Sequence, residues 1–452
     1  MKTKINKSIA GIIFLVSLHS VSCRDYVEVD NYTTRALKYT DDYQYLMNDQ
    51  NNFSSTYILP LITNDDVDMK SVPALASWTD VNKRAYIWNE YIYSETQQDN
   101  GWNNLYNQIF ICNEVLGGVM DSERGTDIQK KEIAAEAKIH RAYAYLMLVN
   151  QYAGVYNPAT AMDQPGVPLL LTSDLFSNLS RASLADVYQQ VINDASTAIA
   201  DLPDQPVYVH HPAKGAAYAL LARCYLYMRN FELAAINSEK ALEYNSSMLN
   251  LEQYVGKTNT LPITVSDTET FLFKKQAGVF NARLNDELVS LYDLHDLRLK
   301  LYIASDNVLQ GYKYIRHNYS SAAIYVGLRV PEMVLIRAEA YAREGNSAKT
   351  AEWLNKLRVN RFAAATYVPV VVDDIVSDPL QAVLDERRRE LVGTGLRWFD
   401  LRRLTLDQGY VKDWYRQFEN QIYTLAVSSP RYVYPIPENV LDLSPEIGQN
   451  PR

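Results

Sequence analysis

Apolar side chains recur along this chain at three- and four-residue spacing in several long blocks, and the blocks come in pairs. Trp102, Leu105, Tyr106, Ile109 and Leu116 share one helical face with Asn113, and Gly117-Gly118 reads as their stop. After a turn over 121–129, a second helix is expected from Ile133 to about Tyr152. There Ala134, Ala135, Ala137, Ala142 and Ala144 stand beside Tyr143, Tyr145 and Leu146, and small residues next to large ones let helices approach closely. Ser183 is placed to cap a helix running to Ala200, and Lys214–Met228 with Phe231–Tyr244 form a predicted hairpin.

Within that hairpin Leu221, Ala222, Tyr225, Ala234 and Ala241 fall at the spacings of a tetratricopeptide repeat. A degraded repeat follows in Leu335, Ala338, Glu339, Ala340 and Tyr341, with Ala351 one place late, and Trp102–Tyr152 has the length and form of another. The rhythm breaks twice. Residues 53–100 are irregular, with Pro60, Asn64-Asp65-Asp66, Pro73 and the aromatics Trp78, Tyr86, Trp88, Tyr91 and Tyr93. Residues 250–330 contain an extended-looking run, TLPITVSDTETFLFKK, and a tyrosine-rich stretch over Tyr312–Tyr325. The expected fold is therefore all-α in the main: tetratricopeptide-like helical hairpins forming a right-handed superhelix, with irregular loop and short-strand insertions laid over one side.

Residues 1–22 change the picture of location. Lys2, Lys4 and Lys7 precede an apolar run from Ile9 to Leu18 and small residues up to Ser22-Cys23, the form of an export signal too short to span a bilayer permanently. Val21-Ser22-Cys23 resembles a bacterial lipobox, although Ser20 stands where leucine is usual, and the resemblance implies that Cys23 becomes a lipidated first residue. Of the three cysteines, Cys112 and Cys224 fall in helical patterns as small buried hydrophobes, so no disulfide framework is expected. A formal charge of −9, more negative once the leader lysines are gone, argues against nucleic acid as a partner.

The densest chemistry lies in Asp385–Arg403, DERRRELVGTGLRWFDLRR, where both signs of charge surround Leu391, Leu396, Trp398, Phe399 and Leu401. Interleaved acids argue against a nucleic-acid patch and favour a clamp of buried or half-buried ion pairs, with Gly393 and Gly395 breaking the helix so that Trp398 and Phe399 can enter a core. Glu386, Arg388 and Glu390, followed by Gly395, Arg397, Trp398, Asp400 and Arg402, resemble the C-terminal signature of the RagB/SusD family of outer-membrane nutrient-binding lipoproteins. Glu136-Ala-Lys-Ile-His-Arg-Ala-Tyr143, Asp296-Leu-Arg298, Tyr434-Pro-Ile-Pro437 and Gln449-Asn-Pro451 are similar to further family positions, so the likeness runs from leader to terminus.

That resemblance implies a surface protein, anchored in the outer membrane through Cys23, which captures an oligosaccharide or other nutrient and passes it to a partner SusC-like TonB-dependent transporter as a hinged lid. Residues 1–22 would be the signal peptide and 23–452 one domain, divided into a tether and aromatic loop region (24–100), hairpins (101–249), an insertion (250–330) and a last hairpin with the signature (331–452). Aromatic faces on irregular backbone suit the C–H face of a sugar, which makes Trp78, Asn82, Arg84, Tyr86 and Trp88 the ligand-binding candidates, Trp78 foremost. Trp88, Tyr91 and Tyr93 have a competing reading as core or strand residues. The rival functions are peptide capture and a repeat scaffold that binds only protein.

No Walker loop, G-x-S-x-G or HExxH occurs, and Gly393-Thr-Gly395 lacks the third glycine of a dinucleotide site. The six histidines form no tight Cys/His cluster, and His210-His211 beside Pro206 and Pro212 reads as a loop. No metal or cofactor is expected, nor catalysis; Asp65 and Asp66 would be the first place to seek a glycosidase pair, although such a pair is more often a turn or surface feature.

Overall fold

Helix capping sets the frame of the chain, whose computed structural model describes residues 37–452 apart from 71, 258–260, 263–265, 278–280 and 317–322. The leader and Cys23 lie outside the described residues. The longer helices are α1 (Asn100–Gly118), α2 (Asp127–Tyr152), α3 (Leu184–Ala198), α4 (Lys214–Tyr227), α5 (Phe231–Tyr244), α6 (Val330–Arg343), α7 (Ser347–Arg358), α8 (Pro379–Glu390) and α9 (Leu396–Leu404). Along the stack α1 packs on α2, α2 on α3, α3 on α4, α4 on α5, α5 on α6 and α6 on α7, the neighbour-to-neighbour order of a helical repeat protein. Ser183 caps α3 by accepting from Asp186 N, as the sequence predicts.

Two helix ends depart from expectation. The α1 helix does not stop before its glycines; it runs through Gly118, where a side chain would collide with the Tyr43 ring, its hydroxyl 2.2 Å from an added Cβ. The α2 helix begins six residues before Ile133, because Thr126 and Gln129 form a reciprocal capping box inside what had read as a turn.

The two repeat hairpins share one turn. Between α4 and α5, Arg229 adopts φ +61° and Asn230 caps the next helix; between α6 and α7, Gly345 adopts φ +72° and Asn346 caps. The second repeat is thus in register with the first. Buried Thr350 occupies the slot of Ala234, its hydroxyl donating to Asn346 O at 2.9 Å, and Ala351 matches Ala235. Arg229 takes up a left-handed backbone that a side chain rarely adopts, and its guanidinium is fixed by Asp407 at 2.8 and 2.7 Å.

The 250–330 region holds short antiparallel strand pairs among its described residues. Thr270–Leu272 pairs with Leu328–Arg329, Lys275–Ala277 with Ala323–Tyr325, and Ile303–Asp306 with Gly311–Tyr314. Residues 53–100 contain short helices, including Pro60–Thr63 and Asp80–Tyr86.

The α8–α9 segment ties these parts together. Glu386 accepts from Arg298 Nη2 (2.7 Å), Arg358 Nη1 (2.9 Å) and Arg389 Nη2 (2.6 Å), and Glu390 from Arg298 Nη1 (3.0 Å) and Arg361 Nε (2.8 Å). Arg361 also donates to Glu269 of the insertion at 2.7 Å. Asp400 accepts from Arg387 (3.1 Å) and Arg403 (2.8 Å), while Arg403 reaches Glu339 on α6. Burial alone would drive the Glu386 and Asp400 carboxyls upward in pKa, but the converging guanidiniums hold Glu386 well below the usual range and Asp400 at about 2. Gly393 and Gly395 take φ +72° and +79° to turn the chain, and Trp398 and Phe399 are buried as expected.

Candidate functional site

Asp65 and Asp66 are neither a surface turn nor a free carboxylate pair, contrary to the sequence expectation. Both are buried, and each is gripped by an arginine of the α8–α9 segment. Arg397 donates to Asp65 from Nε (2.8 Å) and Nη2 (2.7 Å), and Arg388 to Asp66 from Nε (3.0 Å) and Nη2 (2.7 Å). Burial raises and the two guanidiniums lower the carboxyl pKa; the arginines win at Asp65, while at Asp66 burial wins and its pKa rises. These bonds fix the 64–70 loop against the clamp. The same loop meets the insertion where Asn285 N donates to Asp66 O (2.8 Å) and Asp68 N to Arg283 O (3.0 Å).

A third segment closes the surroundings. Residues 412–416 enter an antiparallel hairpin, Trp414–Phe418 with Gln421–Leu425. Arg416 points inward from it, between the rings of Tyr86 and Trp88 at 4.2 Å from each centroid, and donates to the carbonyls of Tyr86, Asn64 and Val67. Burial lowers its guanidinium pKa to about 10.

The meeting of loop, insertion and hairpin leaves a groove of about 460 Å³, bordered by Asp68, Asp286, Trp414 and Tyr415 with Trp88 at its floor. A smaller pocket of about 240 Å³ adjoins it, sharing Glu287, Lys412 and Trp414 as its boundary. Lys412 lies over the Trp414 ring at 4.7 Å and pairs with Glu287 at 2.6 Å, both side chains more than half exposed. Lys70 pairs likewise with Asp286 at 2.6 Å. Tyr415 is 64% exposed, so the groove offers an accessible aromatic face beside hydrogen-bonding groups of both kinds.

The predicted ligand residues divide between surface and interior. Trp78 is half-buried, its Nε1 donating to Asn281 O at 3.4 Å and its ring edge-on to Tyr86 with centroids 5.7 Å apart. Asn82 and Arg84 lie on the Asp80–Tyr86 helix, both half-buried. Tyr86 and Trp88 are buried; Tyr86 accepts from Met69 N (2.9 Å), and Trp88 donates to Thr63 O (2.9 Å) with its backbone at φ +53°. Arg416 covers one face of each of these buried rings, so Tyr86 lies in the interior and Trp88 meets the groove only as part of its lining. Trp414, Tyr415 and Lys412 were not singled out in the sequence, although Trp-Tyr flanked by Lys, Asp and Arg after Gly409 was a readable signal.

Other sequence expectations meet plain facts. His211 Nδ1 lies 2.6 Å from Glu136 Oε1 on a turn, and Cys112 and Cys224 are free and buried. Among the described residues no group of His, Cys, Asp and Glu is arranged to hold a metal ion, and no helix is long and apolar enough to cross a membrane.

Comparison with known proteins adds two family matches and many structural ones. Residues 25–226 match a SusD-like family described as starch-binding associating with outer membrane, and residues 300–452 match the SusD family. A SusD superfamily protein of Bacteroides vulgatus ATCC 8482 superimposes with a TM-score of 0.73 at 20% identity, over 92% of this chain and 99% of the other. A SusD-like carbohydrate binding protein of the same strain gives 0.66 at 19% identity over 91% and 98%. A laminarin binding SusD-like protein gives 0.64 at 19% identity over 92% and 99%. No curated protein matches the sequence.

Proposed function

This chain belongs to the SusD/RagB family, and from that premise we propose that it is a glycan-capturing surface lipoprotein. It binds an oligosaccharide outside the cell and hands it to a partner TonB-dependent transporter, over which it closes as a lid. Acyl chains on Cys23 hold it at the outer membrane, two or more chains being needed for stable anchoring. The observation that carries the reading is the groove beside Trp414 and Tyr415. Its volume of about 460 Å³ lies in the range of small-ligand sites, and an aromatic face beside paired acids and bases matches a sugar ring, apolar on its C–H face and polar at its rim. Two proteins of the same fold that are described as binding carbohydrate and laminarin support it. In this reading Trp78, edge-on to Tyr86, with Asn82 and Arg84 of the helix that follows it, supplies a further contact for a longer chain.

Titrating the protein with a panel of oligosaccharides and peptides tests this. Binding to at least one oligosaccharide, weakened tenfold or more by Trp414→Ala or Trp78→Ala with melting temperature unchanged, is the expected result. Binding to peptides alone, or to neither class, removes glycan capture.

A further inference from the structure

The small pocket adjoining the groove differs from it in charge. Among the described residues the groove is bordered by Asp65, Asp68, Asp286, Glu287 and Asp413 against three cations, whereas Glu287 is the one carboxylate bordering the small pocket, which Arg388, Arg397 and Lys412 also line. Asp65 and Asp66, which neutralise the arginines, are not among its lining residues. Both arginines meet their aspartates through Nε and Nη2, the same edge of the guanidinium, and among the described residues no partner engages Nη1 of either. The indole N–H of Trp414, on the shared boundary, is buried and likewise has no acceptor. Donors therefore exceed acceptors here, and a pocket with uncommitted donors suits a ligand group that is all acceptor.

Resting on the glycan-capture reading, we propose that this pocket receives an anionic substituent of the captured sugar, a carboxylate or a sulfate ester, held by Nη1 of Arg388 and Arg397. The sugar ring that bears it sits on Trp414, and the rest of the chain extends into the larger groove. The exposed Glu287–Lys412 pair that separates the two spaces is of the kind that contributes little to stability, so a ligand crossing it displaces little. Arg388 and Arg397 each keep one edge on the core and present the other to the ligand, which fixes the geometry of recognition before binding.

Calorimetric titration compares tetragalacturonate, a κ-carrageenan tetrasaccharide, whose anionic groups are sulfate esters alone, and the neutral laminaritetraose and cellotetraose. An acidic tetrasaccharide is expected to bind at least tenfold tighter than either neutral one, with affinity falling as salt rises; the uronate and sulfate arms distinguish the two sources of charge. Gln381→Glu adds a negative charge at the pocket wall without replacing a partner of either arginine–aspartate pair, since the Gln381 side chain bonds half-buried Asp385 and its backbone N–H goes to Asp378. It should weaken the acidic ligand at least fivefold and leave the affinity for a neutral tetrasaccharide unchanged. Equal binding of neutral and acidic sugars, or no effect of Gln381→Glu, overturns the proposal while glycan capture stands. Failure of every oligosaccharide to bind overturns both.

Discussion

Neutralising Glu386 tests the clamp at a carboxylate where three arginines converge. In Glu386→Gln the shape is kept, but the anion that receives Arg298 (2.7 Å), Arg358 (2.9 Å) and Arg389 (2.6 and 3.2 Å) is gone, and an amide N–H₂ now faces a guanidinium. Removing one partner from a buried charge network typically costs about 3–5 kcal/mol, because the remaining charges stay buried and unpaired. That is a large fraction of the roughly 5–15 kcal/mol by which native proteins are stable. The arginines hold the Glu386 carboxyl well below its ordinary pKa of 4.5, against the upward pull of burial. Its contribution is therefore fully present above pH 4.5 and is lost as pH falls through the lower folded-state value. Urea unfolding followed by tryptophan fluorescence at pH 7 should show a midpoint shift equivalent to about 3–5 kcal/mol at constant slope. The gap between wild type and variant should hold from pH 8 to 5 and narrow below about 4.5. Glu352→Gln, on the exposed face of α7 with Lys349 and Lys356, should leave the midpoint unmoved. A Glu386→Gln shift under about 1 kcal/mol, or a gap that widens in acid, would refute the argument.

Lys274 is wholly buried, donating to Phe53 O (2.5 Å) and lying 3.1 Å from His140 Nδ1, and burial lowers its pKa from 10.5 to about 7. Its charged form opposes folding most below pH 7, and the penalty fades as pH rises toward 10.5, so Lys274→Met should stabilise the protein by about 1–3 kcal/mol at pH 6 and by less at pH 9.5, read from paired urea melts. Gly393→Ala puts a methyl group 2.5 Å from the Tyr314 ring at φ +72°, and should destabilise by about 2–4 kcal/mol in the same assay. Burial pushes the Cys112 and Cys224 thiols upward in pKa, so iodoacetamide at pH 8 should leave both unmodified in the native protein and label both in urea, as counted by intact mass.

The repeat architecture was legible because it is local. Helical spacing, Ser183 as a cap and the alanines of α4 and α5 all act within a few residues of one another. Even so, counting alanines placed the last repeat one residue out of register, since buried Thr350 fills an alanine slot by returning its hydroxyl to the preceding turn. The mixed-charge segment was legible as a clamp from its composition. Its partners were not: Arg397 finds Asp65 across 332 residues and Arg388 finds Asp66 across 322, distances over which periodicity carries no information. The cover over Tyr86 and Trp88 was hidden for the same reason, because the side chain that lies on both rings, Arg416, arrives from the far end of the sequence.

Those long-range pairs also explain how a loop can form one rigid wall of the groove. A 64–70 segment held only by its own turns would lose order at little cost, and a ligand would have to restore that order when it bound. Here Asp65 anchors it through a bidentate pair with Arg397 of α9, Asp66 through one oxygen that accepts both Nε and Nη2 of Arg388 on α8, and Arg416 anchors the same backbone from the hairpin side through the carbonyls of Asn64 and Val67. The wall thus inherits the rigidity of the buried clamp, whose other carboxylates, Glu386 and Glu390, draw the insertion to the opposite edge. It follows that substitutions inside the clamp should degrade affinity as well as stability, whereas substitutions on the exposed rim, such as Lys412 or Gln381, should change affinity alone.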